Sequence, residues 1–543
     1  MKNNLLYILF ILTLFSACTN IGSPVEQDYT VPSWTLYQRA LHSGKTADEA
    51  KQLLIQKDYP YNINTTIHGD PMTQMGVAWF TNANVTGGVV QIVEGKADNA
   101  STFETAREIS AVCEAIDSIN YVSLSNNNNK SNNEELIRSA GFEKKEKRSY
   151  TGNKALITHL KPNTTYSYRV GKKGAWSEIG SFTTAKDNED AFDLIYVTDP
   201  QANTDEMFDI TKRTVETAYK QTPDAKFILV AGDFIESSKE QSSEWEWEQW
   251  FEKLQNVWLH LPIVPVQGNH DTSPFGNMFH HFNTDNTYNE QQTDDITKTT
   301  MDGTVYSFVY GDALFIVINY EDYQKGEFYF ASIERWLRKQ VADHPDVKWK
   351  IVTFHKAMFT GSNSHQTEEV TESCKEQDGR IVRERFASVF QDLKMDLAIQ
   401  GHDHIYEVIG VVAANGKNYT RLANSVSNQI TVTPTITDGK SVSPDVTGII
   451  RGGTYDVSNG MIYFLNNSAG KKKYYPRSKE QMEAAYPQHG VKDYFGFFNK
   501  FGQTGEPTFS RIRVSTESID VNTYTVDNNG KAELFDAFKI VKK

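Results

Sequence analysis

The sequence predicts an all-β sandwich followed by a layered α/β domain. Three observations carry that expectation. From about Tyr61 to Ala185, short β-rich runs such as GVAWFT and GGVVQIVEG are separated by Asn/Gly turns. After a charged linker, Lys186–Ala191, apolar runs that end in polar residues alternate with segments of helical length. A chain of 543 residues with 39% hydrophobic, 23% charged and 12% aromatic residues has enough material for several cores, and its balance excludes disordered, collagen-like and polytopic membrane classes.

Taken in order, the first segment is targeting rather than fold. MKNNLLYILFILTLFSACTN places Lys2 before an apolar run, Leu5–Phe15, and closes on Ser16-Ala17-Cys18. That is the organisation of a secretory signal, with an apolar core too short for a membrane span. A Cys directly after small residues resembles a bacterial lipoprotein box. The resemblance implies that Cys18 is lipidated, that residues 1–18 are the signal segment, and that the exported protein is tethered to the cell envelope. A plain secretory peptide with an incidental Cys is the alternative. Residues 19–59 read as a polar tether and a short helix, opened by the capping box Thr46-Ala47-Asp48-Glu49. The sandwich is assigned to 60–187, with the tract Asn126–Asn133 as an inserted loop. Its last segment, Leu160–Val170 then Trp176–Ala185, alternates Tyr166, Tyr168 and Val170 before a turn, as an edge hairpin would.

The second domain is assigned to 188–543. Its strand candidates are FDLIYV, KFILVAGD, LPIVPVQGNH, LFIVINY, KWKIVTFH and MDLAIQGHDH, with helices expected within Asp205–Lys220, Ser243–Trp258 and Ala331–His344. Beyond His404 the chain is β-rich, and this tail is expected to complete the catalytic sheet. Trp245, Trp247, Trp250 and Trp258 share one helical stretch, as core residues or as an aromatic wall beside a site. Lys471–Lys473 reads as a solvated loop or as a contact for an anion.

Net charge is −14, from 69 acidic and 55 basic residues, so nucleic-acid binding is not expected. Three cysteines, Cys18, Cys113 and Cys374, fit no disulfide framework and no zinc-finger spacing; a bound metal must draw on His, Asp and Asn. Such residues collect where the strand candidates end: Asp199-Pro200-Gln201, Gly232-Asp233, Gly268-Asn269-His270-Asp271, His355, and Gly401-His402-Asp403-His404. Each alone could be a turn or a satisfied core residue. Together they place an oxygen or imidazole ligand at five successive strand ends, the edge where open α/β sheets build their sites. Glycines just before Asp233, Asn269 and His402 let the backbone turn sharply there.

This ordered set resembles the motif series of the calcineurin-like metallophosphoesterases. The closing strands of the first domain resemble the fibronectin-III-like N-terminal domain of purple acid phosphatases. The resemblance implies a four-layer αββα catalytic domain with two metal ions, Fe, Zn, Mn or Mg. Asp233 would bridge them, Asp199 and His404 would complete one, and Asn269, His355 and His402 would hold the other. Gln201, where many relatives carry His, would either ligate through its amide oxygen or orient a water. His270 would contact the phosphoryl group or protonate the leaving alkoxide, with Asp271 as its orienter. His365, ten residues after His355, resembles a substrate-facing histidine of the purple branch; an ordinary loop His is the alternative. Where that branch has a Tyr three residues after the bridging Asp, this chain has Glu236, so no purple colour is expected. The implied function is hydrolysis of small phosphate esters, monoesters first, by water that the metal pair activates. Phosphodiesterase or nucleotidase activity on the same core, and a catalytically inert surface-binding lipoprotein, are the alternatives.

Overall fold

The computed structural model describes residues 59–82, 85–120, 147–187, 189–236, 243–272, 278–290, 292–293, 295–321, 326–362, 377–422, 452–474, 476–477, 479–484, 491 and 493–543. The signal segment with Cys18, the tether and its helix up to residue 58, the Asn126–Asn133 tract, His365 and Cys374 lie outside the described residues.

Among the described residues the strands form three sheets. The largest has eleven strands. It runs from the C-terminal strands 454–456, 532–541, 518–526 and 508–515, through Ala191–Val197, Ala225–Val230 and Ile263–Pro265, to Tyr61–Thr66, Met75–Asn82, Lys147–Ile157 and Val112–Asn120. The last four belong to the N-terminal sandwich, so the two domains share one sheet, joined by the parallel pairing of Thr66 with Ile263. The second sandwich sheet holds 89–94, 107–110, 165–172, 175–176 and 180–183. The strand carrying Tyr166, Tyr168 and Val170 is paired along both edges, to 89–94 on one side and to 180–183 on the other. It is the inner strand of a closing hairpin whose outer strands, 175–176 and 180–183, form the sheet edge, as the sequence pattern predicts.

The third sheet is the other half of the catalytic domain. Ala313–Val317, Trp349–Lys356, Leu397–Gly401 and Met461–Asn466 lie parallel in it, flanked by antiparallel strands. Strand alternation packs these layers. Leu194 and Tyr196 of the first sheet meet Phe315, Ile351, Leu397 and Ile399 of the other in one apolar layer between the sheets. Ile195 and Val197 point the other way, into a cluster with Phe208 and Val215 of helix Asp205–Gln221 and with Trp247, Trp250 and Trp258. Leu314, Ile316, Val352 and Phe354 pack against Ile333, Trp336 and Leu337 of helix Glu327–Asp343 and Val382, Phe386 and Phe390 of helix Gln377–Asp392. Helix, sheet, sheet, helix: the catalytic domain is the four-layer sandwich. The C-terminal tail supplies strands to both sheets, not to one alone, because 508–541 pairs on the Ala191–Val197 edge while 461–466 and 498–502 join the other sheet. Trp247, Trp250 and Trp258 are fully buried core residues and build no aromatic wall. Among the described residues no helix is long and apolar enough to cross a membrane.

Candidate metal centre

The site lies where both catalytic sheets end. Asp199 follows Ala191–Val197, Asp233 follows Ala225–Val230, and Asn269, His270 and Asp271 follow Ile263–Pro265. Val197, Val230 and Pro265 stand in lateral register, so the three turns leave the first sheet at one level. From the facing sheet, His355 stands one residue before the end of Trp349–Lys356, and His402 and His404 follow Leu397–Gly401.

The backbone at these turns is unusual. Asp199, Asp233, His402 and His404 all sit at positive φ, 51°, 54°, 80° and 43°. A non-glycine residue there costs about 1 kcal/mol, which persists only where the surroundings over-determine it. Part of that determination is space. A Cβ on Gly268 would collide with the Asp233 carboxylate and amide, and one on Gly232, itself at φ 92°, would collide with the His355 ring. The glycines let the turns close onto one another.

Ligand atoms of Asp233, His355 and His402 lie within 4.8 Å of one another, and so do those of Asp199, Asp233 and His404. The two triads share Asp233, which is what a bridging carboxylate requires. The Nδ1–H of His355 donates to the Ala231 carbonyl at 2.7 Å, which directs its Nε2 at Asp233 Oδ2, 3.1 Å away, with Asp199 Oδ1 at 3.9 Å. His404 Nε2 stands 3.2 Å from Asp199 Oδ1. Asp199 also receives the Thr198 hydroxyl at 2.7 Å and the His402 amide at 2.9 Å.

A lone pair of a neutral imidazole facing a carboxylate oxygen is repulsive unless a cation lies between them. The titration behaviour of the buried groups says the same. Burial alone would push His355 down, yet the neighbouring carboxylates Asp233 and Asp199 carry it up to about 10. Burial would raise Asp233, but His355 and His270 hold it well below the usual carboxylate range. The cluster thus attracts positive charge into a space lined by hard oxygen and imidazole donors, and the residues present fit a pair of borderline or hard metal ions. Gln201 is buried beside Asp199 in sequence, and its Oε1 accepts no hydrogen bond among the described residues.

Two neighbours behave differently from the sequence expectation. Asp271 does not orient His270. Its Oδ2 accepts the amides of Asp233 at 2.8 Å and Gly268 at 2.9 Å, and its Oδ1 accepts those of Phe234 at 2.9 Å and Ile235 at 3.4 Å. It clamps the Asp233 turn to the Gly268 turn, and with both oxygens so occupied it has no role at the imidazole. Burial and the adjacent Asp233 charge push its carboxyl up to about 7. His270 instead places Nδ1 against the Glu236 carbonyl, and its amide donates to Asp233 Oδ1 at 2.9 Å. Lys472 is half-buried, and its ammonium pairs with the Glu236 carboxylate. Ser468, on the same loop, donates to the Asp199 carbonyl at 2.7 Å, and the Tyr474 ring stacks on His404 at 4.3 Å. Sequence reasoning missed this covering loop as part of the site; its one visible signal was a basic run directly after a small-residue turn.

Comparison with known proteins agrees with this architecture. The purple acid phosphatase N-terminal domain family matches residues 60–184, and the calcineurin-like phosphoesterase family matches residues 192–406. Residues 192–406 are thus similar to calcineurin-like phosphoesterases, behind a segment similar to the purple acid phosphatase N-terminal domain. A probable purple acid phosphatase of Arabidopsis thaliana is 26% identical over 257 residues, covering 47% of this chain and 55% of the relative. The chain spans about half the length of the curated relatives it matches. In fold it resembles the purple acid phosphatase PPD1 from yellow lupin, Lupinus luteus, with TM-score 0.58 at 13% identity over 89% of this chain and 75% of that one. It also resembles PhoD, with TM-score 0.52 at 11% identity over 89% and 91% of the two chains. Glu236, three residues beyond Asp233, is engaged with Lys472.

Proposed function

We propose that this protein is a dinuclear metal-dependent phosphoesterase that hydrolyses small phosphate monoesters. The observation that carries the reading is the pair of ligand triads sharing Asp233. Asp199, Asp233 and His404 would hold one ion, and Asp233, Asn269, His355 and His402 the other, with Gln201 at the edge of the first. When bound, the two ions acidify water and neutralise charge developing on the phosphoryl oxygens. The protein's own groups do the rest. His355 is fixed by the Ala231 carbonyl so that one nitrogen faces the centre. His270, held through Nδ1, keeps Nε2 for the substrate, where it can give a proton to the departing alkoxide. Asp271 holds the Asp233 and Gly268 turns together, so that the bridging carboxylate and the Asn269–His270 pair keep their spacing.

The test is turnover of p-nitrophenyl phosphate and of its bis ester by chelator-treated protein, with Fe, Zn, Mn and Mg restored one at a time. Monoester turnover that returns with two metal equivalents, and no visible charge-transfer band, is the expected result. Absence of metal on elemental analysis, or a purple chromophore, would overturn the reading; preference for the bis ester would replace the monoester with a diester substrate.

Export and anchoring form the second half of the proposal. The Leu5–Phe15 run followed by Ser16-Ala17-Cys18 supports lipidation of Cys18 and a place in the bacterial cell envelope, with residues 19–59 holding the enzyme off the membrane. Cys18→Ser is expected to move the protein out of the membrane fraction with the activity of the folded body unchanged. Wild-type protein that partitions entirely into the aqueous phase of a detergent separation would make it a plain secreted enzyme.

A further inference from the structure

Glu236 is fastened at three points. Its amide donates to Glu246 Oε2 at 2.8 Å, its carbonyl receives His270 Nδ1, and its carboxylate receives the Lys472 ammonium. The side chains of Lys472 and Glu236 are 29% and 18% exposed, so the pair is partly shielded from water. Lys472 itself is not a loose surface residue. Four and three positions earlier, the Ser468 hydroxyl donates to the Asp199 carbonyl and the Ala469 amide to the Thr198 carbonyl at 2.9 Å. Two positions later, Tyr474 lies flat on the His404 ring.

We infer that the Lys472–Glu236 ion pair is a positioning device for His270. Lys472 is fixed to the Asp199–His404 side of the centre. By gripping the Glu236 carboxylate, it holds the Glu236 carbonyl against His270 Nδ1. A nitrogen that donates to a carbonyl keeps its proton there, so Nε2 is the nitrogen turned to the substrate and the one that takes up a proton and passes it to the departing alkoxide. The ion pair thus acts on the reaction through His270, without touching metal or phosphate.

This inference rests on the phosphoesterase reading, and its test separates the two. The full-length protein, loaded with zinc, is compared with Lys472→Met, Lys472→Arg and Glu236→Gln. Metal content, kcat and KM for p-nitrophenyl phosphate, and the nitrogen-15 signature of the His270 ring are measured at one pH. Lys472→Met and Glu236→Gln are expected to keep two metal equivalents and KM. Their kcat should fall roughly 10-fold, the scale of losing an outer partner of a metal site, while the His270 spectrum changes from one tautomer to a mixture. Lys472→Arg is expected to restore both, and it reads the same spectrum should Lys472→Met fail to fold. Loss of a metal in Glu236→Gln would make Glu236 a ligand and overturn the inference. A fall in kcat with an unchanged His270 signature would also overturn it, by giving Lys472 a direct contact with substrate; so would no change in either. Wild-type protein that turns over no phosphate ester sinks the phosphoesterase reading, whereas the His270 spectrum still decides the fate of the clamp.

Discussion

Two of the buried polar clusters among the described residues are built on opposite principles. In the first, Lys500 and Asp536 are almost wholly enclosed, at 1% and 0% side-chain exposure. The Lys500 ammonium reaches both Asp536 oxygens at 2.6 Å, the Tyr406 hydroxyl donates to Oδ2 at 2.6 Å, and the Gly452 amide approaches Oδ1 at 3.4 Å. One cation meets one anion, and each carboxylate oxygen takes at least two donors. In the second, Asp199, Asp233, His355, His402 and His404 bring together groups that are all electron-pair donors in their ligating forms. The backbone is in the left-handed region at four of these five residues, whereas neither Lys500 nor Asp536 is at positive φ. A balanced cluster with relaxed backbone is part of the packing. An unbalanced cluster on strained turns is a receptacle for cations, and its strain is stored where function needs it.

The largest effect that would sharpen this contrast is at the shared carboxylate. Asp233→Asn keeps the size of the side chain but removes the charge common to both triads. Metal content is expected to fall below one equivalent and activity by more than roughly 10⁴-fold, since the ions supply most of the acceleration. Elemental analysis that still finds two ions would end the bridging assignment. His270→Ala comes next. Its ring lies beside the centre and hydrogen-bonds to Glu236, not into the triads, so both ions should remain while kcat falls by roughly 10²–10⁴. A lost metal equivalent would make His270 a ligand.

Asp536→Ala probes the other cluster and should do the reverse. It leaves a buried ammonium without its partner, an expected loss of about 3–5 kcal/mol in stability by chemical denaturation. Metal affinity and the kcat of the folded fraction should not change, because Asp536 contacts none of the strand-end residues. A variant that loses metal would dissolve the distinction between the clusters.

The same contrast explains what the sequence made legible. The candidate metal centre announces itself because its residues stand at or just beyond strand ends, three of them directly after glycine: Gly232-Asp233, Gly268-Asn269, Gly401-His402. These are local constraints, and they survive as motifs. The Lys500–Asp536 pair carries no motif, since its partners are 36 residues apart on strands of different sheets. Lys472 and Glu236 are 236 residues apart, and only the fold brings them together. Asp271 shows the opposite error. Its adjacency to His270 suggested a dyad, yet its oxygens reach across 38 residues to the Asp233 amide, because a buried turn has amides that must be satisfied. The joining of the sandwich to the catalytic sheet was equally hidden. Thr66 and Ile263 each look like an ordinary strand residue, and nothing local specifies that one chain edge will meet the other.

The smallest expected effect is the most discriminating test of what the balanced cluster is for. Replacing Lys500 by Met, Asp536 by Leu and Tyr406 by Phe together removes the cation, the anion and the hydroxyl that donates to it. No charge is left stranded and no buried donor is left unpaired except the distant Gly452 amide. Burial already works against the Lys500 charge, which Asp536 only partly offsets, so the ion pair returns little beyond its own desolvation. Phe538, within 5.8 Å of the ammonium, offers apolar surface that the Met side chain can cover. The triple variant is therefore expected to lie within about 1–2 kcal/mol of the wild type, well above Asp536→Ala, with metal content and kcat unchanged. Urea denaturation midpoints measure it. A triple variant as unstable as Asp536→Ala would mean that the pair is specifically required where it stands, and that balance of charge alone does not distinguish packing from function in this protein.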